Sequence, residues 1–327
     1  MATDVRALTL GTRVVIRYRL DGPNSAGHTL TDVVGPLRRI DDATVVVQGR
    51  SGAVEVSLDR VVAAKVVPPR PTRRGAPHLT IGTDDLERVM IDAWPAPERS
   101  PLGDWVLRAG RGFTHRANSV ATPGSPGMPL DEAVTAVEDW YAARGLPPDL
   151  VVTGPVGFAV AETALGALLL DRGYLPREPT IAYTAAAREV GARPVDPAVE
   201  LSGTLTDEWL TAFGSYRDLD IPAARAILTG SPDQIFAQVR GTDGIVGIGR
   251  LALAHGWGGI AAMWVSPTVR RHGIAGAMLT SLARAAASQG VLSLHLQTDA
   301  LNAAARAAYE GRGFVAHHAY ANVAQPR

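Results

Sequence analysis

Strands and helices alternate along the C-terminal part of the chain, and this alternation limits the possible folds more than any other sequence feature. Residues 258–265 (GGIAAMWV) predict a strand, and the amphipathic segment 274–289 predicts a helix that stops at Gly290. Residues 291–296 predict the next strand and 300–312 the next helix. Because strands and helices that alternate in this way pack as layers, we expect an α/β fold in this region.

Charge is distributed unevenly along the 327 residues, although the formal net charge is zero. Residues 1–77 contain 12 basic and 7 acidic side chains, whereas the rest of the chain contains 20 basic and 25 acidic ones. A Pro- and Arg-rich stretch at 66–77 (VVPPRPTRRGAP) marks the change, and a second break lies near 188–197. The predicted organisation is a small domain over 1–68, a linker over 69–77, and two larger domains over 78–190 and 197–327.

Composition excludes several classes of protein. The chain has no cysteine, so it has no disulfide, no thiolate metal site and no cysteine nucleophile. The neutral net charge argues against attachment to nucleic acid or to an anionic membrane by bulk charge. No apolar run approaches the ~18 residues of a membrane span, and the N-terminus lacks a signal-peptide pattern. We therefore expect a cytoplasmic protein with no membrane partner.

The first domain has the pattern of a small all-β barrel. A Gly-rich loop at 49–52 joins the last two of its predicted strands, as in a hairpin. Arg13, Arg17 and Arg19 share one face of the first strand, and this face is either a solvated polar surface or a contact surface for nucleic acid or an acidic partner. The β-branched segments that predict strands are 13–19, 43–48 and 53–58.

The segment VSPTVRRHGIAG joins a predicted strand to a predicted helix and has the features of an anion site. Gly273, Ala275 and Gly276 have little or no side chain, so an anion can approach the unpaired N–H groups of the helix N-terminus. Arg270 and Arg271 add positive charge, which suits a pyrophosphate. The segment lacks the Gly-Lys-Ser/Thr of a P-loop, which argues against ATP. Taken alone, the loop is also compatible with an ordinary helix start.

Together with residues downstream, this loop resembles the GNAT superfamily of acyl-CoA-dependent N-acetyltransferases. The Arg/Gln-x-x-Gly-x-Gly/Ala signature of that family matches Arg270, Gly273 and Ala275, and the Val-x-Pro that precedes it is also present. The resemblance covers residues 197–323 and implies a mixed-sheet α/β fold. The family's downstream pattern, Asn-x-x-Ala-x-x-x-Tyr-x-x-x-Gly-Phe, is matched by Asn302, Ala305, Tyr309, Gly313 and Phe314.

The resemblance implies a place for acetyl-CoA and needs no metal. The strand that ends at Val265 would splay from its neighbour and pair with the pantetheine arm. Asn302 would contact the CoA chain, and Tyr309 would lie near the thioester sulfur as the general acid. The residues expected to hold the pyrophosphate are Arg270, Arg271, His272, Gly273, Ala275 and Gly276.

The sequence leaves the general base unassigned. Many members of the superfamily carry a glutamate on the strand that here reads GGIAAMWV, and this strand contains no acidic residue. His295, Gln297 and Asp299 share one face of the following strand, and His255 lies in a loop. Each of them is either a proton relay through water or a structural polar residue.

Residues 78–190 resemble a second, degenerate GNAT copy. An internal register places Met128 and Leu130 where the signature needs small residues, and Leu169 where it has the tyrosine. We expect this copy to shape the structure or the substrate site without binding CoA. Three of its residues are candidates for the wall of an acceptor cleft between the copies or for simple packing: Trp105, Phe113 and His115.

The complete arrangement resembles a bacterial histone-acetyltransferase-like family, in which an SH3-like barrel precedes tandem GNAT copies. The stretches RANSV at 116–120 and WYAARGLP at 140–147 carry this resemblance, although mycothiol synthases also contain tandem copies. The prediction is an acetyl-CoA-dependent N-acetyltransferase that acts by direct attack of a primary amine, on a protein lysine or a small molecule. The alternatives are a CoA-binding regulatory protein and a nucleic-acid-associated protein, both without turnover.

Overall fold

The computed structural model describes residues 5, 8–23, 27–49, 52–67 and 75–326. The chain divides into two compact units, Met1–Arg70 and Pro71–Arg327. Most of the predicted linker at 69–77 and two residues of the predicted hairpin loop, Arg50 and Ser51, lie outside the described residues.

The first unit contains a five-stranded antiparallel sheet in the order β4-β3-β2-β1-β5. Alternate residues of each strand point inward, so Val14, Ile16 and Val45 are fully buried in the core of this unit. The three strands predicted from the sequence are present within a residue of their expected ends, and the all-β prediction is confirmed. The strands are β1 (Arg13–Arg19), β2 (Leu30–Ile40), β3 (Thr44–Gly49), β4 (Gly52–Ser57) and β5 (Val61–Val66).

The basic strand face of the first unit is partly neutralised. Arg17 lies opposite Asp32 on the neighbouring strand, and its Nε and Nη2 each donate to that carboxylate over 2.8 Å. Because the guanidinium group of Arg17 already has a carboxylate partner, this strand face is less cationic than the sequence suggests. A nucleic-acid or acidic partner of this unit stays a prediction.

The second unit is built around one large sheet with helices on both faces. Its strands are β6 (Glu98–Leu102), β7 (Trp105–Ala109), β8 (Asp149–Gly154), β9 (Leu175–Pro176), β10 (Thr180–Ala186), β11 (Glu200–Ser202), β12 (Asp233–Gly241), β13 (Gly244–Ala254), β14 (Trp257–Val265), β15 (Ser293–Asp299) and β16 (Val315–Ala324). Its helices are α1 (Pro77–Thr80), α2 (Thr83–Ala93), α3 (Leu130–Ala142), α4 (Ala164–Asp171), α5 (Ala187–Gly191), α6 (Asp207–Gly214), α7 (Ile221–Thr229), α8 (Ile274–Ser288) and α9 (Ala303–Glu310).

The main sheet joins the two larger segments that the sequence separates at about residue 190. Its strand order is β11-β12-β13-β14-β15-β10-β16-β8, and the pairing is antiparallel except between β14 and β15. Strand β10, from the middle segment, lies between β15 and β16, while β16 lies between β10 and β8. The last strand of each segment thus pairs with a strand of the other, and the two segments form one compact unit. The prediction of two GNAT copies stays a prediction.

Different helices cover the two faces of this sheet. Helix α8 packs its buried residues, among them Met278 and Leu282, on the face that also carries Tyr183 and Leu294. On the opposite face, α2 contributes Leu86 to a smaller cluster. The elements predicted in the C-terminal segment are confirmed, with ends that differ by up to three residues. No helix within the described ranges combines the length and the apolar character needed to cross a bilayer.

Candidate active site

Strands β14 and β15 diverge in the middle of the sheet. They pair in parallel only from Trp257 with Ser293 to Ile260 with Leu296. Beyond this point β14 continues to Val265 and β15 continues to Asp299, without pairing between them. The ladder between β13 and β14 also shifts register here, and Ala262 has a φ of 54°. A wedge therefore opens along β14, whose free edge offers backbone hydrogen-bonding groups to an extended ligand.

The predicted anion loop leads directly from this wedge into α8. Arg270 and Arg271 are exposed, and Nε of Arg270 donates to the carbonyl oxygen of Val265 over 3.2 Å. Arg271 and Gly273 have φ values of 70° and 78°, in the left-handed region. Gly273 is the N-cap of α8, and the ring of exposed His272 lies against the carbonyl oxygen of Val269. An exposed loop with two arginines thus leads into the N-terminus of a long helix, which is the arrangement that an anion site requires.

A third arginine covers the first turn of α8. A Cβ atom at Gly276 would overlap the guanidinium group of Arg312, so the two are in close contact only because residue 276 is glycine. Burial and the nearby charge of Arg193 lower the pKa of Arg312. Ala275, which precedes Gly276 in the chain, is half-buried and also has a small side chain. Sequence reasoning did not include Arg312 in the site, although it directly precedes the Gly-Phe of the family pattern.

Helix α9 carries the two downstream residues of the predicted site. The Oδ1 atom of Asn302 accepts the backbone N–H of Ala305 over 3.1 Å and caps this helix. Tyr309 is half-buried, with its ring centroid 6.4 Å from that of Tyr183 and 6.1 Å from that of Phe314. Burial raises the pKa of Tyr309 to about 12. The phenol therefore stays protonated at neutral pH, which a proton donor requires.

A small pocket, partly open to solvent, lies where β14 and β15 separate. His295 projects into it; this side chain is 3% exposed, and neither ring nitrogen has a hydrogen-bond partner among the described residues. Burial lowers the pKa of His295 to about 3, so the imidazole is neutral at physiological pH. The pocket is lined by Met90, Ala93, Trp94, Arg116, Gly259, Ile260, Ala261, His295, Leu296 and Gln297.

Comparison with known proteins agrees with this geometry. The sequence model of a family described as "Probable histone acetyltransferase Rv0428c C-terminal" matches residues 82–323, and that of the "Rv0428c N-terminal Sm-like domain" matches residues 8–65. The chain belongs to this family. The first domain is accordingly Sm-like and not the SH3-like barrel that we expected, because a pattern of short strands does not separate one kind of small barrel from another.

Individual relatives support the same assignment. The probable histone acetyltransferase Rv0428c of Mycobacterium tuberculosis is 34% identical over 249 residues, which cover 68% of this chain and 72% of that protein. The uncharacterized N-acetyltransferase YobR of Bacillus subtilis is 25% identical over 244 residues, covering 72% of this chain and 96% of YobR. A GCN5-related N-acetyltransferase from Kribbella flavida superposes with a TM-score of 0.57 at 13% identity, covering 76% and 97% of the two chains. This member of the Rv0428c family is therefore an acetyltransferase with the GNAT fold.

The sequence left four polar residues as possible proton relays, and the structure shows which of them line the pocket. His295 and Gln297 line it, whereas Asp299 lies at the exposed end of β15 and accepts the N–H of Leu301. His255 instead pairs with the carboxylate of Asp92. Gln297 is held in place because its Oε1 accepts the hydroxyl of Tyr320 over 2.7 Å. His295 is thus the imidazole that faces the pocket.

The aromatic residues proposed for the acceptor wall do not line this pocket. Trp105 and Phe113 are buried in two different hydrophobic cores, and His115 is exposed on a neighbouring 3-10 turn. Trp94 and Arg116 line the pocket instead, and the sequence did not single out either of them individually. The RANSV stretch at 116–120 contains Arg116 and was the sequence feature that could have indicated this residue.

The middle segment lacks a comparable anion site where the register places one. Helix α3 begins with Asp131 and Glu132 in its first turn, and these carboxylates oppose an anion at that helix N-terminus. Met128, at the position that the register gives to Gly273, is 39% exposed. Leu169 is fully buried in the core between α3 and β8. That this segment shapes structure without binding CoA stays a prediction.

We expect His295 to make the folded protein sensitive to acid. Its pKa is about 3 when folded and about 6.5 when unfolded, so the unfolded state binds more protons as pH falls below 6.5. This difference lowers the free energy of unfolding by about 2 kcal/mol between pH 7 and pH 5. Urea unfolding of wild type and His295→Gln at both pH values measures it. The variant should lose this part of the pH dependence, and equal pH dependence in both proteins would contradict the assignment.

Proposed function

We propose that this protein is an acetyl-CoA-dependent N-acetyltransferase that moves an acetyl group to a primary amine by direct attack. The observation that carries the proposal is the wedge between β14 and β15, which connects the anion loop of α8 with the pocket of His295. A ligand with a pyrophosphate at one end and a long hydrogen-bonding arm matches this layout. Acetyl-CoA supplies an activated thioester at the end of such an arm.

The chain's residues bind and orient this co-substrate. Arg270, Arg271 and Arg312 surround the N-terminus of α8, where the helix dipole also favours a pyrophosphate. The free edge of β14 up to Val265 pairs with the arm and directs its end into the wedge. Tyr309 then lies on the α8 and α9 face and donates a proton to the departing thiolate.

The acceptor amine enters the pocket on the opposite face, against His295. The ammonium group loses a proton to solvent water, and the free amine attacks beside the neutral imidazole of His295. The new N–C bond forms as the C–S bond breaks, the thiolate takes the proton of Tyr309, and the acylated nitrogen releases its surplus proton to water. The absence of cysteine excludes an acetyl-cysteine intermediate, which is consistent with direct attack. Holding both reactants in one wedge contributes roughly 7–11 kcal/mol to catalysis in favourable cases. The names of the relatives suggest a protein lysine as one acceptor, and a small-molecule amine is the other.

Transfer of a labelled acetyl group tests this function. Purified full-length protein is incubated with labelled acetyl-CoA and a panel of amines, and both CoA release and labelled product are measured. We expect product with at least one amine and only background CoA release without an acceptor. Binding of acetyl-CoA without transfer to any amine would instead support a CoA-binding regulatory protein, and no binding would refute both.

A further inference from the structure

Arg116 is held over the acceptor pocket by a rigid loop. Asn118 fixes this loop, because its Oδ1 accepts the N–H groups of Gly110 and Gly112 while its Nδ2 donates to two backbone carbonyls. Thr114 caps the 3-10 turn His115–Asn118, and its hydroxyl also accepts Nε1 of Trp94 over 3.1 Å. Arg116 and Asn118 belong to the RANSV stretch. The hydrogen bonds of this stretch therefore hold the backbone of Arg116 in place.

Among the residues that the structure describes, the guanidinium group of Arg116 has no anionic partner. Its Nε is buried without a hydrogen-bond partner, and it forms no ion pair with any residue that the structure describes. Its Cζ lies 5.6 Å from the centroid of the Trp94 ring. A buried N–H without a partner costs free energy, and a charged group costs more. The pocket thus presents a cation whose polar contacts are incomplete.

A buried arginine near Arg116 makes this region more positive. Arg250 is fully buried, donates to the carbonyl oxygens of Leu228 and Ala93 and to the hydroxyl of Ser231, and has no carboxylate partner among the described residues. Its Cζ also lies 5.6 Å from the Trp94 ring. Burial lowers the pKa of Arg250 only to about 9, so it remains charged at neutral pH.

None of the described residues that line the pocket is Asp or Glu, so no acidic side chain among them compensates these charges. The carboxylate of Asp92, next to the lining residue Ala93 in the chain, is occupied by Arg99 and His255. A cationic acceptor, such as a lysine flanked by further basic residues, would meet unfavourable electrostatics here.

We propose that the acceptor is a small amine that also carries an anionic group, and that Arg116 binds this group while His295 faces the amine. The inference rests on the proposed function and names the substrate class of the same site. An α-amino acid has this combination, with a carboxylate and an amine on one carbon. A guanidinium group can bind a carboxylate through two parallel hydrogen bonds.

Matched pairs of acceptors test the proposal. Each amino acid is compared with its primary amide, which differs only in the carboxylate. The amide loses its ammonium proton more easily, so intrinsic reactivity favours the amide. We expect the wild-type protein to reverse this order, with kcat/KM about 100-fold higher for the acid. A preference for the amide, or for a basic lysine-containing peptide, would overturn the proposal while leaving the acetyltransferase intact.

Variants of Arg116 show whether this side chain is responsible. Arg116→Gln should lower kcat/KM for the amino acid by about 100-fold and change that for the amide less than threefold. Arg116→Lys should recover only part of the loss, because an ammonium cannot form the paired hydrogen bonds. The control is Arg111→Gln, since the side chain of Arg111 is 71% exposed on the same loop. Equal losses for acid and amide would contradict the proposal.

Binding without acetyl-CoA separates this proposal from the proposed function. Trp94 lies beside Arg116, so its fluorescence should change when an amino acid occupies the pocket, and Trp94→Phe identifies its share of the signal. If no amine is acetylated but amino acids bind and Arg116→Gln abolishes binding, the substrate-class proposal stands and the transfer function fails. If amino acids neither bind nor react while other amines are acetylated, the proposal fails and the transfer function stands.

Discussion

Replacing Gly273 with glutamate should abolish acetyl-CoA binding. Gly273 is the N-cap of α8, so a carboxylate there would lie among the N–H groups that are expected to hold the pyrophosphate. Like charges brought together in this way cost several kcal/mol, and we expect affinity to fall by more than about 100-fold. Titration calorimetry with acetyl-CoA measures this loss, and turnover should disappear with it.

The other end of the same helix provides a matched control. Gly290 has a φ of 79°, almost equal to the 78° of Gly273, and a Cβ there would meet no atom within 4 Å. Gly290→Glu therefore introduces the same charge and the same backbone strain, but at the C-terminal end of α8, away from the loop at its N-terminus. This control should bind acetyl-CoA like the wild type. Unchanged affinity in Gly273→Glu would refute the phosphate site.

Replacing Tyr309 with phenylalanine should lower turnover and leave acetyl-CoA binding nearly unchanged. The hydroxyl forms no hydrogen bond with a described residue, so its removal should not destabilise α9, and the ring can keep its contacts with Tyr183 and Phe314. Loss of a general acid costs about 10²–10⁴-fold in rate. We expect kcat to fall by about this factor and the Kd for acetyl-CoA to change less than threefold.

The pH profile and a second tyrosine variant complete this experiment. Because burial raises the pKa of Tyr309 to about 12, the phenol remains protonated across the accessible pH range, and kcat of the wild type should not decline below pH 10 through its ionisation. Tyr18→Phe makes the same chemical change in the first unit and should leave kcat unchanged. If Tyr309→Phe retains wild-type kcat at every pH, Tyr309 is not the acid.

The helix that carries Tyr309 illustrates how far sequence reasoning reaches. The helix was predictable because its signals are local, namely the Asn302 cap at one end and the glycines at the other. The contacts that hold this helix against the sheet were not predictable. The hydroxyl of Tyr183 on β10 donates to Glu310 over 2.8 Å and accepts Nε of Arg306 over 3.3 Å. That contact exists because β10 is inserted beside β15, and no local pattern specifies such an exchange.

The pocket that contains His295 was even less predictable from the sequence. The sequence contained RANSV as a recognisable stretch and His295 as one of several polar residues. Only the folded chain brings Arg116, Trp94 and His295 to one pocket, from segments far apart in sequence. Burial then decides their chemistry, since it keeps His295 neutral and leaves Nε of Arg116 without a partner.

By itself, the sequence determined the α/β and all-β parts of the chain and the strand–loop–helix segment that leads into α8. These features depend on spacing, glycine positions and helix caps within a few residues, so they can be read without knowing distant contacts. The tertiary structure alone decided the single shared sheet, the wedge between β14 and β15, and the placement of Arg312 and Arg116. Strand pairing and burial set these features, and both depend on residues that meet only when the whole unit has folded.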